Sequence, residues 1–316
     1  MNKVNILSLV VSVYNEEEVL QTFWEETSKH LKGLELQYEI IFVNDGSTDG
    51  SKDTLFNLSQ HDKNIKIINL SLNFGHEAAM VAGIDYSTGD AVLCMDADLQ
   101  HPPSRLGEMV KKFSEGYEII NMVRKENKDA GILRRVTSAL FYYVLNFMST
   151  ARFEPNASDF FLISRRVANI LKNDFSERTR FLRGFIQIIG FRKTTLEFVS
   201  PKRAGGATKY SLLKLFVYSV SAIATFSNVP LRIGMIFGTV IGLFSIGIGI
   251  YSIVVKMLGY VIPGYTTLAV LITFLLAVQF FILGIIGEYV GFLFNEIKKR
   301  PIYIVEDKIN IKDYIE

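Results

Sequence analysis

The chain has 316 residues, a formal net charge of +2 and a single cysteine, Cys94. This net charge is too small to indicate a nucleic-acid-binding protein. One cysteine excludes an intrachain disulfide, which suits a reducing compartment. Charged residues occur throughout the sequence up to about Tyr210, and strongly apolar segments follow. The composition therefore predicts an α/β domain followed by a membrane part.

Apolar runs of strand character alternate with helix-length segments in the first part of the chain. They cover Val4–Val13, Tyr38–Val43, Ile65–Leu70 and Ala91–Met95, and Gly116–Val123 is a further predicted strand. Continuous apolar runs are typical of parallel strands that are buried on both faces. Alternation with helices also predicts parallel pairing, with the polar turns gathered at one edge of the sheet. We therefore expect the turns at Asn15, Asp45 and Asp96/Asp98 to face one crevice, and Asn15 to cap the helix that follows it.

The fourth strand ends in two carboxylates, Asp96 and Asp98, and Pro102-Pro103 then prevents the strand from continuing. Ligands of open α/β sheets bind in the crevice at the carboxyl ends of the strands. Carboxylate oxygens in that crevice suit Mg²⁺ or Mn²⁺ bound to a substrate diphosphate. An acidic turn after an edge strand is the alternative interpretation.

Two nucleotide-binding motifs are absent from the sequence. No G-x-G-x-x-G follows the first predicted strand, and no G-x-x-x-x-G-K-[ST] occurs anywhere. The sequence therefore argues against dinucleotide-dependent dehydrogenases and P-loop enzymes.

Two uncharged segments near the C-terminus are long enough to cross a membrane, which takes about 20 helical residues. They cover Ile233–Val255 and Met257–Gly287, with a turn at Pro263-Gly264. Buried core helices are the alternative. Basic residues flank the pair on its outer sides, at Lys202, Arg203, Lys209, Lys214, Arg232, Lys298, Lys299 and Arg300. The positive-inside rule then predicts a hairpin with both chain termini in the cytosol.

Glycines recur at four-residue spacing in both apolar segments, at Gly234, Gly238 and Gly242 and again at Gly287 and Gly291. Small residues at this spacing let membrane helices approach closely. We expect packing within the hairpin, and a homo-oligomer is the alternative that the same spacing allows.

A basic, glycine-containing segment from Arg203 to Tyr210 lies just before the membrane part. Glycines allow a loop to close over a ligand, and Arg203 and Lys209 can pair with phosphate oxygens. A charge cluster that fixes membrane topology is the alternative, and the two roles are compatible.

Several motifs, in matching order, resemble family 2 glycosyltransferases with the GT-A fold. They are Val10–Glu16, Val43–Ser47, Asn73-Phe74-Gly75 and Asp96-Ala97-Asp98. Later segments are similar to polyprenyl-phosphate glycosyltransferases, a group that includes bactoprenol glucosyltransferases and relatives of dolichyl-phosphate mannose synthase. These segments are Glu177–Phe181, Gly287–Gly291, Lys299-Arg300-Pro301 and the Arg203–Lys209 loop.

The resemblance implies a role for individual residues. Asp98 and Asp96 would hold Mg²⁺ or Mn²⁺, and Asp98 would be catalytic in that way. Asp159 would be catalytic near the acceptor, as a base or by positioning the acceptor; a helix-capping aspartate beside Arg165 is the alternative. The nucleotide-sugar site would comprise Val13, Asn15, Glu16, Asp45, Ser47, Gly75, Asp96, Ala97, Arg203 and Lys209. Leu72 stands where relatives often have arginine, and Phe161 stands where bactoprenol glucosyltransferases often have it. Two cations that could bind phosphate in those relatives are therefore missing here.

The predicted architecture is a cytosolic Rossmann-like GT-A domain over 1–210, an interfacial helix over 211–229, two transmembrane helices within 230–296 and a cytosolic tail over 297–316. The two transmembrane helices are predicted at about 233–255 and 266–287. The predicted location is the inner (plasma) membrane, and the lipid bilayer is an expected partner.

The predicted reaction is inverting transfer of one hexose, glucose first, from a UDP-sugar to undecaprenyl or another polyprenyl phosphate. UDP-N-acetylglucosamine and GDP-mannose are alternative donors. A processive polysaccharide synthase is disfavoured because such enzymes normally carry a Q-x-x-R-W element. The single tryptophan of this chain, Trp24, is far from the place where that element would stand. A non-catalytic membrane scaffold is the alternative from another class.

Overall fold

The computed structural model describes residues 4–125, 157–175, 181–201, 229–259 and 264–311, together with positions 143, 146 and 154. The chain divides into two compact units. One unit holds a β-sheet with its helices, and it includes the segment that begins at Arg300. The other unit holds the two long apolar helices.

Eight strands among the described residues form one mixed sheet. They are Ile6–Val13 (β1), Gln37–Asn44 (β2), Ile65–Leu70 (β3), Ala91–Asp96 (β4), Ile119–Arg124 (β5), Ala157–Ser164 (β6), Lys193–Phe198 (β7) and Val305–Ile309 (β8). Their order across the sheet is β7-β5-β6-β4-β1-β2-β3-β8. The first four confirm the predicted apolar runs. The fifth begins later than predicted, at Ile119, because Gly116 has a φ of 92° and belongs to the preceding turn.

The strands β3, β2, β1 and β4 are parallel neighbours, as predicted. Val13 lies opposite Asn44, and Ser12 lies opposite Asp96. The carboxyl ends of three strands therefore reach the same edge of the sheet, which brings their polar turns together.

The strand β6 lies between β4 and β5 and is antiparallel to both. Its register with β4 pairs Cys94 with Phe161. When this register is continued for two residues, Asp159 is level with Asp96. The mixed sheet therefore brings a side chain from a distant part of the sequence to the edge where the parallel strands end.

The helices of the sheet unit connect these strands. They are Glu17–Lys32 (α1), Ser51–His61 (α2), His76–Tyr86 (α3), Leu106–Ser114 (α4), Arg165–Asn173 (α5) and Leu182–Ile188 (α6), with a short 3₁₀ turn at Pro103–Arg105. The prediction that Asn15 caps α1 is wrong. Glu16 is the N-cap residue, and Asn15 has a φ of 55° in the turn before it.

Apolar side chains cover both faces of the central strands. Leu7, Leu9 and Val11 of β1 belong to the larger core cluster. On the opposite face, α3 approaches β1 so closely that a Cβ at Gly83 would lie 2.1 Å from Cγ1 of Val10. Burial on both faces accounts for the continuous apolar sequence of these strands.

The segment after the long helices contributes a strand to the sheet. Residues 305–309 form β8, which pairs antiparallel with β3 and makes an outer edge of the sheet. The side chain of Asn310 extends this attachment, because its Nδ2 donates to the carbonyl oxygens of Ser59 and Ile65 at 3.3 and 2.8 Å. The predicted cytosolic tail over 297–316 therefore contains a strand that the sequence interpretation did not include.

The second unit contains the helices Val229–Met257 (α7) and Tyr265–Ile297 (α8). The windows Ile236–Val255 and Phe274–Ile297 are long and apolar enough to cross a membrane, and none of either window is buried. The second helix continues beyond the predicted end near residue 287. The predicted interfacial helix lies outside the described residues, apart from its last position.

Candidate active site

The turns after β1 and β2 are joined by hydrogen bonds. The backbone N–H of Asn15 donates to Oγ of Ser47 at 3.0 Å, and the N–H of Thr48 donates to Oδ1 of Asn15 at 2.8 Å. The positive φ of Asn15 turns its side chain toward this partner, a conformation that asparagine tolerates better than most residues. The two turns predicted to meet therefore form one connected wall of the crevice.

The remaining residues of these turns contribute mainly through their backbone. The buried Val13 accepts from the N–H of Asp45 at 2.9 Å, and the N–H of Glu16 donates to Oγ of Ser51 at 3.0 Å. Ala97, beside the acidic pair, is also buried. We conclude that Val13 and Ala97 shape the crevice and expose little side chain to it.

Asp45 is buried with a relative exposure of 2%, and both of its carboxylate oxygens accept from the backbone. The donors are the N–H groups of Phe74, at 2.7 Å, and Gly75, at 2.9 Å. Burial raises the pKa of Asp45, although these two donors oppose the rise. Asp45 therefore holds the Asn73–Gly75 loop in place. Each of its oxygens accepts one hydrogen bond here and can accept a second, so the nucleotide contact implied by the resemblance stays a prediction.

The acidic pair follows β4 as predicted. Asp96 is the last residue of the strand, and Oδ1 of Asp98 accepts from the N–H of Gln100 at 3.0 Å. Leu99 has a φ of 60°, so the chain turns sharply between the pair and the prolines. The turn keeps both carboxylates at the carboxyl end of the strand.

His101 supports this turn from the interior. The N–H of Asp96 donates to its Nδ1 at 3.0 Å, and its ring stacks on Phe160 with a centroid distance of 5.0 Å. Burial lowers the pKa of His101, and the charge of Asp96 only partly opposes the effect. A neutral ring with Nδ1 as acceptor carries its proton on Nε2. Sequence reasoning missed this residue, although its place shortly after the acidic pair was an available signal.

His76, the first residue of α3, lies between two carboxylates. Its Nε2 is 3.5 Å from Oδ1 of Asp96 and 3.7 Å from Oδ2 of Asp159, and its Nδ1 is 3.2 Å from Oγ of Ser12. Burial disfavours the charged ring, but the carboxylates of Asp96, Asp159 and Glu77 outweigh it and raise the pKa of His76. Sequence reasoning missed His76, although it directly follows the Asn73–Gly75 motif.

Asp159 also forms an ion pair with Arg183, with 3.1 Å between Oδ1 and Nε. Arg183 comes from α6, which no local sequence signal connected with Asp159. The structure thus places a cation beside Asp159, whereas the family-like arginine position at Phe161 holds a buried apolar ring.

Glu77 completes the cluster. Its Oε2 accepts from the N–H of Leu182 at 3.1 Å, which ties α3 to the start of α6. Burial and the nearby charge of Asp159 raise the pKa of Glu77 to about 7. This carboxyl therefore changes charge within the physiological pH range.

The fit of a divalent cation can be judged from the donors present. Asp96 and Asp98 supply carboxylate oxygens. Burial of Asp96 opposes its ionisation, but the positive charges of neighbours such as His76, Arg124 and Arg183 lower its pKa and favour the ionised form. Within the described ranges, no group of three His, Cys, Asp or Glu side chains could hold a metal ion. This arrangement suits Mg²⁺ or Mn²⁺, which proteins often bind through one or two carboxylates with substrate phosphates and water completing the shell.

The predicted phosphate-binding residues Arg203 and Lys209 lie outside the described residues. Among the described residues, hydrogen bonds join Asn15 to Ser47 and Asp45 to Gly75, and His76 lies between Asp96 and Asp159.

Comparison with known proteins shows which family the chain belongs to. The model for "Glycosyl transferase family 2" matches residues 8–171. A glycosyltransferase of Synechocystis sp. is 40% identical over 302 residues, which cover 95% of each chain. The SfII prophage-derived bactoprenol glucosyl transferase of Shigella flexneri is 34% identical over 301 residues, covering 95% of this chain and 97% of the relative.

Among solved structures, a complex of glucosyl-3-phosphoglycerate synthase from Mycobacterium tuberculosis with Mn²⁺, UDP and phosphoglyceric acid aligns with a TM-score of 0.48 and 16% identity. The alignment covers 70% of this chain and 77% of that one. The family match and the extended similarity to full-length relatives confirm the resemblance seen in the motifs. The chain belongs to glycosyl transferase family 2.

Proposed function

We propose that this protein transfers one glucosyl group from UDP-glucose to a polyprenyl phosphate such as undecaprenyl phosphate. The names of relatives similar over nearly their whole length, bactoprenol glucosyl transferases, support the sugar and the acceptor class. The observation that carries the proposal is the meeting of Asp96 and Asp159 around His76 at the carboxyl edge of the sheet. Two carboxylates from neighbouring strands then face a donor and an acceptor across one crevice.

The donor would bind along the wall formed by the Asn15 and Ser47 turns, with its diphosphate near the acidic pair. Asp96 and Asp98 would hold Mg²⁺ or Mn²⁺, which supplies a positive charge that stabilises the leaving nucleoside diphosphate. Arg203 and Lys209 are proposed as further phosphate contacts because both cations lie in one glycine-containing segment.

The acceptor phosphate would bind beside Asp159. A phosphate is already anionic near neutral pH, so the site needs alignment and charge compensation more than it needs proton removal. Arg183 and His76 lie on either side of the Asp159 carboxylate. The pKa of His76 is raised, which favours its charged form, so both side chains compensate the charge of Asp159. The acceptor oxygen could then attack the anomeric carbon from the face opposite the diphosphate, which inverts that centre.

A lipid acceptor explains why a sugar-nucleotide domain carries two long apolar helices. The chain leaves the sheet unit before α7 and rejoins the same unit as β8, and this return supports an even number of crossings. We propose a two-span hairpin in the plasma membrane, with the sheet unit on the cytosolic side as the flanking basic residues predict.

A transfer assay tests the proposal. Radiolabelled UDP-glucose, UDP-N-acetylglucosamine and GDP-mannose are offered with polyprenyl phosphate, and label in the butanol-extractable lipid is counted. We expect transfer from UDP-glucose, loss of transfer in Asp159→Asn and full activity in the exposed control Asp174→Asn. Transfer from another donor would correct the sugar. No transfer from any donor would favour a non-catalytic scaffold.

A further inference from the structure

A chain of side-chain hydrogen bonds links the C-terminal strand to the turn that follows β2. Nδ2 of Asn69 donates to Oδ1 of Asp307 at 2.5 Å, and Nδ2 of Asn44 donates to Oδ1 of Asn69 at 2.9 Å. The N–H of Ser47 then donates to Oδ1 of Asn44 at 3.0 Å. Three strands, β8, β3 and β2, therefore contribute one residue each to a relay that ends in the proposed donor site.

The chemistry of the end groups fixes the direction of this relay. A backbone N–H can only donate, so Asn44 must turn its carbonyl oxygen toward Ser47. A carboxylate can only accept, so Asn69 must turn its amide nitrogen toward Asp307. The two buried amides, with relative exposures of 2% for Asn44 and 1% for Asn69, then fit each other in a single orientation.

We propose that Asp307 is a positioning residue for nucleotide binding, acting through Asn69 and Asn44 on the Asp45–Ser47 turn. The inference rests on the proposed donor site. Without an acceptor at position 307, the amide of Asn69 is either left unsatisfied or rotates. Rotation would place its nitrogen against the nitrogen of Asn44 and disturb the acceptor that Ser47 uses. A buried polar group without a partner is costly, so the turn loses its fixed geometry.

The position of Asp307 in the chain gives the relay a consequence for assembly. Asp307 follows the two apolar helices, so the donor turn reaches its final geometry only after the chain has formed the hairpin and β8 has paired with β3. Donor binding is thereby linked to completion of the membrane part.

Two residues near Asp307, Glu306 and Asn310, serve as matched controls. Glu306 and Asp307 both form ion pairs with Lys52, at 3.0 and 3.1 Å. Glu306→Gln therefore removes one ion pair of β8 and leaves the relay intact. Asn310→Ala removes two hydrogen bonds that attach the end of β8 to the sheet unit, again without touching the relay. A purely structural role of β8 would therefore be revealed by Asn310→Ala as well.

The experiment uses the full chain in detergent. Calorimetry in the presence of Mn²⁺ measures UDP binding, and thermal unfolding gives the melting temperature of each variant. Hydrogen exchange is followed for the backbone of residues 44–50. Asp307→Leu is expected to weaken UDP binding about tenfold and to speed exchange of this segment, since one buried hydrogen-bonding group is left unsatisfied. Asp307→Asn keeps an acceptor oxygen and should bind UDP within about twofold of the wild type. Glu306→Gln and Asn310→Ala should bind UDP normally, the latter with a lower melting temperature.

If Asp307→Leu does not fold, Asn69→Val interrupts the same relay with a residue suited to a strand, and the same tenfold loss is expected. Unchanged UDP binding and unchanged exchange in a folded relay variant would overturn the inference. Failure of the wild type to bind UDP would instead overturn the donor site. In that case, faster exchange of residues 44–50 in Asp307→Leu but not in Asn310→Ala still supports the relay, and equal exchange contradicts it.

Discussion

Arg183 and Asp159 form an ion pair between α6 and β6, with 3.1 Å between Nε and Oδ1. The side chain of Asp159 is 19% exposed and that of Arg183 is 33% exposed, so the pair borders the crevice while being partly shielded from water. Partial shielding strengthens a charge interaction relative to one on the open surface. In the proposed reaction, this guanidinium prevents Asp159 from repelling an anionic acceptor.

Replacement of Arg183 tests that role. Arg183→Gln removes the positive charge, so we expect the KM for polyprenyl phosphate to rise about tenfold or more, with the KM for UDP-glucose nearly unchanged. Steady-state transfer rates at varied acceptor and donor concentrations separate the two effects. Arg192→Gln is the matched control, because Arg192 stacks on Tyr117 away from Asp159. A rise in the donor KM alone would contradict the assignment.

Replacement of Asp98 tests the cation site. Asp98→Asn retains an oxygen that can accept from the N–H of Gln100, so the turn and the melting temperature should be preserved. Loss of one carboxylate charge should lower transfer by at least about 100-fold and weaken Mn²⁺ binding. Transfer assays and Mn²⁺ titration measure the two effects. The exposed control Asp53→Asn should behave like the wild type, and near-full activity of Asp98→Asn would refute the cation site.

The sequence predicted the parallel core of the fold because four apolar runs each end in a polar turn. It did not predict β8, since Val305–Ile309 is short and its partner β3 lies on the far side of the two apolar helices in the chain. The strand β6 was likewise seen only as a motif around Asp159. Pairing between distant segments leaves no periodic signal in either segment.

The same limit applies to the site. Asp96, Asp98 and Asn15 were predicted because strand ends of a parallel sheet share an edge. Arg183 and Glu77 could not be predicted, because Arg183 meets Asp159 where α6 lies beside β6, and Glu77 meets Leu182 where α3 lies beside α6. Both contacts depend on tertiary packing. The hydrogen bonds from the Asn73–Gly75 loop to both oxygens of Asp45 were also not predicted, because they depend on the conformation of that loop.

Glu77 predicts a dependence of stability on pH. Its pKa is raised from 4.5 to about 7, so the folded state binds more protons than the unfolded state between these values. The contribution of this group to the free energy of unfolding is therefore full below about pH 4.5 and is lost as the pH rises to 7. Glu77→Gln cannot titrate and can still accept from the N–H of Leu182.

Melting temperatures measured from pH 4.5 to pH 8 check this expectation. The wild type should lose stability across the interval relative to Glu77→Gln, and the variant should be the more stable protein at pH 8. Glu26→Gln, on the exposed face of α1, should follow the wild-type curve. Parallel curves for the wild type and Glu77→Gln would show that the environment of Glu77 does not favour its neutral form.

Gly46 is required by the backbone of the donor turn. Its φ is 64°, and a Cβ at this position would lie 2.5 Å from the carbonyl carbon of Leu72. Gly46→Ala must therefore displace the Asp45–Ser47 turn or the segment at Leu72, and we expect it to lower the free energy of unfolding by about 2 kcal/mol or more. UDP affinity should fall as well, because the contact between Ser47 and Asn15 is displaced.

Gly107→Ala is the matched control. Gly107 lies in the helix α4, and a Cβ at this position would be 3.5 Å from the side chain of Leu34, an ordinary contact. In a helix, alanine is favoured over glycine by about 1 kcal/mol. Thermal unfolding and UDP calorimetry should therefore separate the two substitutions, and equal behaviour would mean that the turn adapts to a side chain at position 46.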